Sequence, residues 1–215
     1  MAYTERPSPA TGDDHDPARA VQRERMITEL RQTIARVPEQ TEFTNTKIFK
    51  VWGPVAVVAL LGLVALSISL GKLGMIAASV FLLLGALWIS WEHRNAGQPF
   101  MRLTRRQLFV DTLDQPVELA DVEDIDVQKE AMAMLAQTLT LGETATLPTH
   151  RVLHMRPFAS QAEVSKDPQP QVRIVSAGLA SAGRTLGREE VVALLSAYRD
   201  AAQAQRTLDA LLSHA

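Results

Sequence analysis

The sequence predicts an α+β membrane protein, with a transmembrane α-hairpin followed by an antiparallel β-barrel or sandwich capped by a C-terminal helix. Three observations predict it. No residue from Val51 to Gly71 carries a charge, and none from Leu73 to Trp91 does. After Pro99 the apolar residues recur with a period of two, as in half-buried strands. From about Thr185 they return to three- and four-residue steps, the period of a helix. The averages conceal this pattern. A net charge of -2 and 47% hydrophobic residues suit an ordinary soluble protein, so the chain is read by segment. The expected division is a cytosolic tail over 1–47, the hairpin over 48–92 and a C-terminal domain over 98–215.

In chain order, Met1–Pro17 carries three prolines and an acidic patch at Asp13, Asp14 and Asp16. It has no apolar periodicity and is expected to be disordered. About 50 mostly polar residues precede the first apolar run, so a cleaved signal peptide is not expected. Over residues 18–37, Ile27, Leu30, Ile34 and Val37 form one helical stripe that Pro38 ends. Such a helix packs on the protein's own fold or a second copy, or lies on the membrane with its arginines toward anionic lipid. The narrow stripe, without an aromatic residue, favours packing.

The apolar runs predict helices over about 51–70 and 73–91. Each is about 20 residues, the length that spans a hydrocarbon core roughly 30 Å thick. Neither shows the polar stripe of a soluble helix. The link Gly71-Lys72-Leu73-Gly74 is short enough for a hairpin. Arg36, Lys47 and Lys50 precede it, Arg94, Arg102, Arg105 and Arg106 follow it, and the link holds only Lys72. By the positive-inside rule both termini are expected in the cytoplasm. Trp52, Trp88 and Trp91 fall at the hairpin's open end, as interfacial anchors do. Ala65 with Ser69, Gly74 with Ala78, and Gly85 have the spacing of small residues at a helix contact, expected near the link. No charged residue lies mid-span, which argues against transport.

Beyond Pro99, strands are expected at Phe100–Thr104, Leu108–Thr112, Val117–Leu119 running into Val122–Val127, Thr138–Leu141, Arg151–Met155 and Val172–Val175, the last of the series. Ala159–Pro170 is expected to be a loop. A helix starting near Thr185 has Glu189 and Glu190 in its first turn, where the dipole favours acids. Its expected buried face is Val191, Leu194, Tyr198 and Leu208.

This order resembles the bacterial PH-like domains found behind two-helix membrane hairpins. The resemblance rests on Leu103-Thr104, Leu108-Phe109-Val110 and Val117 to Ile125, then on Val172-Arg173-Ile174 followed by Arg188 to Arg199. It covers about half of the chain. It implies a partly open β-barrel closed by a helix, the bacterial inner membrane as location, and a family mostly without known enzymatic activity.

Chemistry-bearing patterns are few. Without cysteine there is no disulfide or thiolate chemistry. His150 and His154 lie in a strand-like run between Pro148 and Pro157, which sets them roughly 13 Å apart, too far for one metal. Asp121, Glu123, Asp124 and Asp126 alternate with apolar residues, as on a solvated edge or turn. Gly178, Gly183 and Gly187 lack the Gly-Lys-Ser/Thr of a phosphate loop. Arg102, Arg105 and Arg106 are candidates for lipid headgroup contact. No catalytic, metal or cofactor residue is assigned, no cofactor is expected, and nothing in the charge suggests nucleic acid. The expected function is a non-enzymatic protein anchored in the inner membrane, whose cytosolic module binds a protein partner or another copy. The alternatives are a sensor of anionic lipid headgroups and, behind it, a membrane-bound enzyme.

Overall fold

The structure, a computed structural model, describes residues 17–46, 48–92, 98–130, 134–150 and 161–213. The tail expected before Pro17 and the strand expected at Arg151–Met155 lie outside the described residues. Helix α1 (Pro17–Ala35) opens on a proline, which suits a first turn because the N–H it lacks has no helical acceptor there. Its stripe of Ile27, Leu30 and Ile34 packs on Ala204 and Leu208 of the last helix, α4 (Arg188–Ser213). The Arg23 guanidinium donates to the Leu211 carbonyl at 2.7 Å, satisfying one of the free acceptors at the α4 C-terminus.

Strand β1 (Gln40–Thr44) is absent from the sequence reading. It pairs antiparallel with β2 (Pro99–Thr104), although 54 residues separate Thr44 from Pro99. Phe43 stands opposite Met101, and each is 1% exposed. The stretch read as part of a tail therefore shares a sheet with the C-terminal half. The hairpin is an insertion between two neighbouring strands.

That hairpin is α2 (Ile48–Ser69) and α3 (Leu73–Glu92), 22 and 20 residues. They are about 33 and 30 Å long at 1.5 Å per residue. Both are long and apolar enough to cross a membrane. Their shielded positions repeat in steps of three and four: Gly53, Val57, Leu60, Val64 and Ser67 against Ile76, Ser79, Leu83, Ala86 and Ser90. Of the expected contact residues, four lie outside this seam and Gly85 is half-buried beside Ala86. Ala65, Ser69, Gly74 and Ala78 are exposed, and a Cβ on Gly85 would meet nothing within 4 Å. A close approach lies instead at the open end, where a Cβ on Gly53 would lie 2.7 Å from Ser90 Oγ.

The first sheet continues through β3 (Gln107–Val110) and β4 (Val117–Glu118) on one side of β2. On the other side of β1 it holds β9 (Leu179–Ser181) and β10 (Arg184–Leu186). The second sheet has the order β5 (Val122–Lys129), β6 (Leu135–Leu141), β8 (Gln171–Ser176) and β7 (Gln161–Ser165). Among the described residues the sheets do not close into a barrel. A 3-10 turn at Leu119–Asp121 interrupts the ladder between β4 and β5, and the chain leaves the second sheet for the first at Ala177–Gly178. The result is a two-sheet sandwich. One core joins Phe43, Met101, Leu103, Leu108 and Val110 of the first sheet to Val127, Leu139, Val172 and Ile174 of the second.

Several expectations for this half need correction. The loop expected at Ala159–Pro170 contains β7, a five-residue strand with only Ala162 and Val164 as apolar residues. Val172–Val175 is not the last strand, because β9 and β10 follow. Ala182 and Gly183 turn between them with φ of 50° and 80°, the left-handed pair of a two-residue hairpin. The helix therefore begins at Arg188, not near Thr185. In α4, Leu195 (1% exposed) takes the fully buried place expected of Leu194, which is half-buried, and Leu208 meets α1 instead of the strands.

Tyr198 is buried beneath β1. Its hydroxyl donates to the Pro38 carbonyl at 3.2 Å and lies 2.7 Å from the Thr41 hydroxyl. Burial pushes its phenol above the usual range, against the hydrogen bond to Thr41 and the charge of Arg105.

Candidate functional site

The hairpin leaves the sandwich at the sheet end where β1 finishes and β2 begins. This root is clamped. The Thr46 N–H donates to the Ala177 carbonyl at 3.3 Å, and the Thr46 hydroxyl donates to the same oxygen. Asn45 Oδ1 accepts the Ala177 N–H at 3.3 Å. Gly178 follows with φ of 75°, and a Cβ there would lie 2.7 Å from Thr46 Cγ2. Only glycine suits both the conformation and the approach.

Beside the root, the outer face of the first sheet carries a row set by strand register: Glu42 on β1, Arg102 on β2 and Phe109 on β3. The Arg102 guanidinium lies over the Phe109 ring, 4.6 Å from its centroid, a cation–π contact. Next to the row is a groove of about 380 Å³, which Phe100, Asp111 and Asp114 also line. The turn after β3 positions those acids. The Asp111 N–H donates to the Phe100 carbonyl and the Leu113 N–H to the Val110 carbonyl, each at 3.0 Å. Asp114 accepts the Thr149 hydroxyl and, at 2.8 Å, the Thr149 N–H. These bonds hold the Asp114 carboxyl below its usual range, the hydroxyl contributing most.

The three candidate arginines do not converge. Arg102 is in the row described. Arg105 and Arg106 sit in the turn between β2 and β3, a strand length from the root, roughly 20 Å at the rise of an extended chain. Arg105 donates through Nε and Nη2 to the Val37 carbonyl, at 3.2 and 3.0 Å, and so holds the chain just past α1. Arg106 pairs with Asp209 of α4 at 2.6 Å. The tryptophans do gather. Gly53 against Ser90 sets Trp52 and Trp91 at one level of the hairpin's open end, with Trp88 one turn away, and all three are exposed.

The remaining motifs have structural roles. His150 Nε2 accepts the Val164 N–H at 3.3 Å, and the Thr112 hydroxyl accepts the Ala162 N–H at 3.0 Å. Side chains thus occupy outward N–H groups of edge strand β7. His154 lies outside the described residues. Among those described, no group of three or more acidic or histidine side chains could hold a metal. In the acidic run, Asp121 pairs with Arg206 at 2.7 Å, and Gln203 donates to the Val122 carbonyl at 3.2 Å. The run is thereby the edge along which α4 lies. Gly178 and Gly183 serve turns. The Gly187 N–H donates to Glu190 at 2.8 Å, and this bond, with Arg184 beside it, holds the Glu190 carboxyl below its usual range.

Glu42, Phe109, Asp111 and Asp114 were not found from sequence. They lie on two separate stretches, at 42 and at 109–114, and Glu42 belongs to β1. Comparison of the chain with protein-family models, with curated proteins and with solved structures returned no significant match.

Proposed function

We propose that the protein is a non-enzymatic interaction module held at the bacterial inner membrane. Its hairpin crosses twice, both termini are cytoplasmic, and the sandwich is PH-like in its sheet order and closing helix. The module meets a protein partner or a second copy of itself. The insertion of α2 and α3 between β1 and β2 carries this reading. Two strands that pair must lie on one side of a membrane, which supports a hairpin independently of the charge distribution. The basic residues that flank it in sequence support the cytoplasmic side, and the tryptophans at its open end support the hairpin. The headgroup-sensor alternative loses Arg105 and Arg106, which hold the fold together far from the root.

Reporter fusions at Met1 and Ala215 test the topology, with cytoplasmic activity expected at both and periplasmic activity at either overturning it. A photo-reactive residue at Gln107, on the outer sheet face, tests the contact in growing cells. A discrete protein adduct is expected. Adducts with lipid alone, or none, would refute an interaction through this face.

A further inference from the structure

Three of the serine hydroxyls in the hairpin turn back on their own helices. Ser67 donates to the Leu63 carbonyl at 2.8 Å, Ser69 to that of Leu66 at 2.7 Å and Ser79 to that of Ile76 at 3.0 Å. Ser90 departs from this pattern. Its hydroxyl is shut off from solvent and has no hydrogen-bond partner. It faces Gly53, where a Cβ would lie 2.7 Å from Ser90 Oγ.

Helix α2 carries the complementary defect at the same level. Pro54 lies inside α2. Proline has no N–H, so the Lys50 carbonyl, four residues back, loses its helical donor. That carbonyl points along the helix toward position 54, on the flank of Gly53. Hydrocarbon has no water to offer either group, and a proline in a spanning helix is tolerated where a neighbouring hydroxyl meets the freed carbonyl. Proline is also where helices bend. Below Pro54, α2 starts two residues after Thr46, which is clamped on Ala177 of the sandwich. Above Pro54, α2 packs along α3.

We infer that α2 hinges at Pro54 and that Ser90 is its latch. Latched, the Ser90 hydroxyl donates to the Lys50 carbonyl. Released, it turns back on α3, to the Ala86 carbonyl four residues before it, and the sandwich tilts against the hairpin. The inference rests on the proposed membrane crossing, because lipid is what denies both groups a water.

The test uses the full-length protein in phosphatidylcholine vesicles. Lys50-Val51 is the only Lys-Val pair in the chain, so carbonyl-13C lysine with 15N valine selects the Lys50 carbonyl in solid-state NMR. The chain has no cysteine, so nitroxides at Lys72→Cys and Gln107→Cys report the tilt as the width of one distance distribution. Ser90→Ala should move the Lys50 carbonyl signal upfield, as loss of a hydrogen bond does, and should broaden the distribution. In Pro54→Ala, where residue 54 supplies an N–H, adding Ser90→Ala should change neither. A shift without broadening would refute the hinge, and broadening without a shift would refute the latch. Equal broadening with and without Pro54 would overturn both, since the hydroxyl would then act by packing alone. Circular dichroism checks that each variant is folded. The reporter fusions test the crossing separately, so failure here would leave their result standing.

Discussion

The hairpin and the sandwich hide opposite kinds of side chain. In the sandwich the buried residues are almost all apolar, with Gln137 and Ser176 the polar ones among those described. In the hairpin the only described residues that are fully buried are Ser67 and Ser79, while Val58, Leu73 and Phe81 stand exposed. On the proposed reading, each pattern reports its solvent. Water drives the sandwich to bury apolar area at about 25 cal/mol per Å². Hydrocarbon offers a leucine no such gain, so helices there meet through small residues that let backbones approach. The serine hydroxyls turn back on their own helices, Ser67 to the Leu63 carbonyl at 2.8 Å and Ser79 to that of Ile76 at 3.0 Å. Gln137 is the sandwich's exception. It lies between Val127 and Ile174 on the inner face of β6, and neither its amide nitrogen nor its oxygen has a partner.

Deletion of β1 should have the largest effect. A fragment of residues 98–215 lacks Val37, Thr41 and Phe43 and should show no cooperative thermal transition. A chain in which a short Gly-Ser turn joins Thr46 to Gln98, omitting the hairpin, should be soluble and melt cooperatively. If the fragment melts as well as the relinked chain, the sandwich does not depend on β1. Next, Leu195→Asp in the relinked chain should cost several kcal/mol, as an unpaired charge in a core does. Leu194→Asp should cost clearly less, and equal losses in urea titrations would refute the burial assignment. Within the hairpin, Gly53→Leu should push the helices apart at Ser90, and Gly85→Leu should change little. Disulfide cross-linking between cysteines placed on α2 and α3 would show it. The smallest effect should be a gain. Gln137→Leu should raise stability by about 1 kcal/mol, because an unsatisfied buried amide costs roughly 1–3 kcal/mol. A fall in stability would mean that the amide has a role in the fold.

The same contrast explains what could be read in advance. Two uncharged runs of about 20 residues signal their helices without reference to anything else in the chain. The strands of the C-terminal half could be located because Val, Leu and Ile alternate along them. Strand β1 offers only Phe43 and the half-buried Thr41 as inward residues, and its partner lies beyond the hairpin. Nothing local marks Gln-Thr-Glu-Phe-Thr as a strand. The tryptophan level was legible because it follows from a two-helix return. The place of Arg105 was not, since its acceptor is a backbone carbonyl just past α1. The groove was hidden for a similar reason, because strand register alone brings Glu42, Arg102 and Phe109 into a row.

The insertion between β1 and β2 also bears on biogenesis. The ribosome releases β1 before either helix of the hairpin and β2 only after both. If the hairpin crosses a membrane as proposed, the sheet has to wait for the insertion machinery. A nascent chain with a single helix across the bilayer would strand β1 and β2 in different compartments, where they could never pair. Phe43 would then lack Met101, Tyr198 would lack Thr41, and an unfinished domain would be exposed to proteases. On the proposed topology, folding of the sandwich thereby audits the hairpin, and only a chain with both crossings made can complete its sheet.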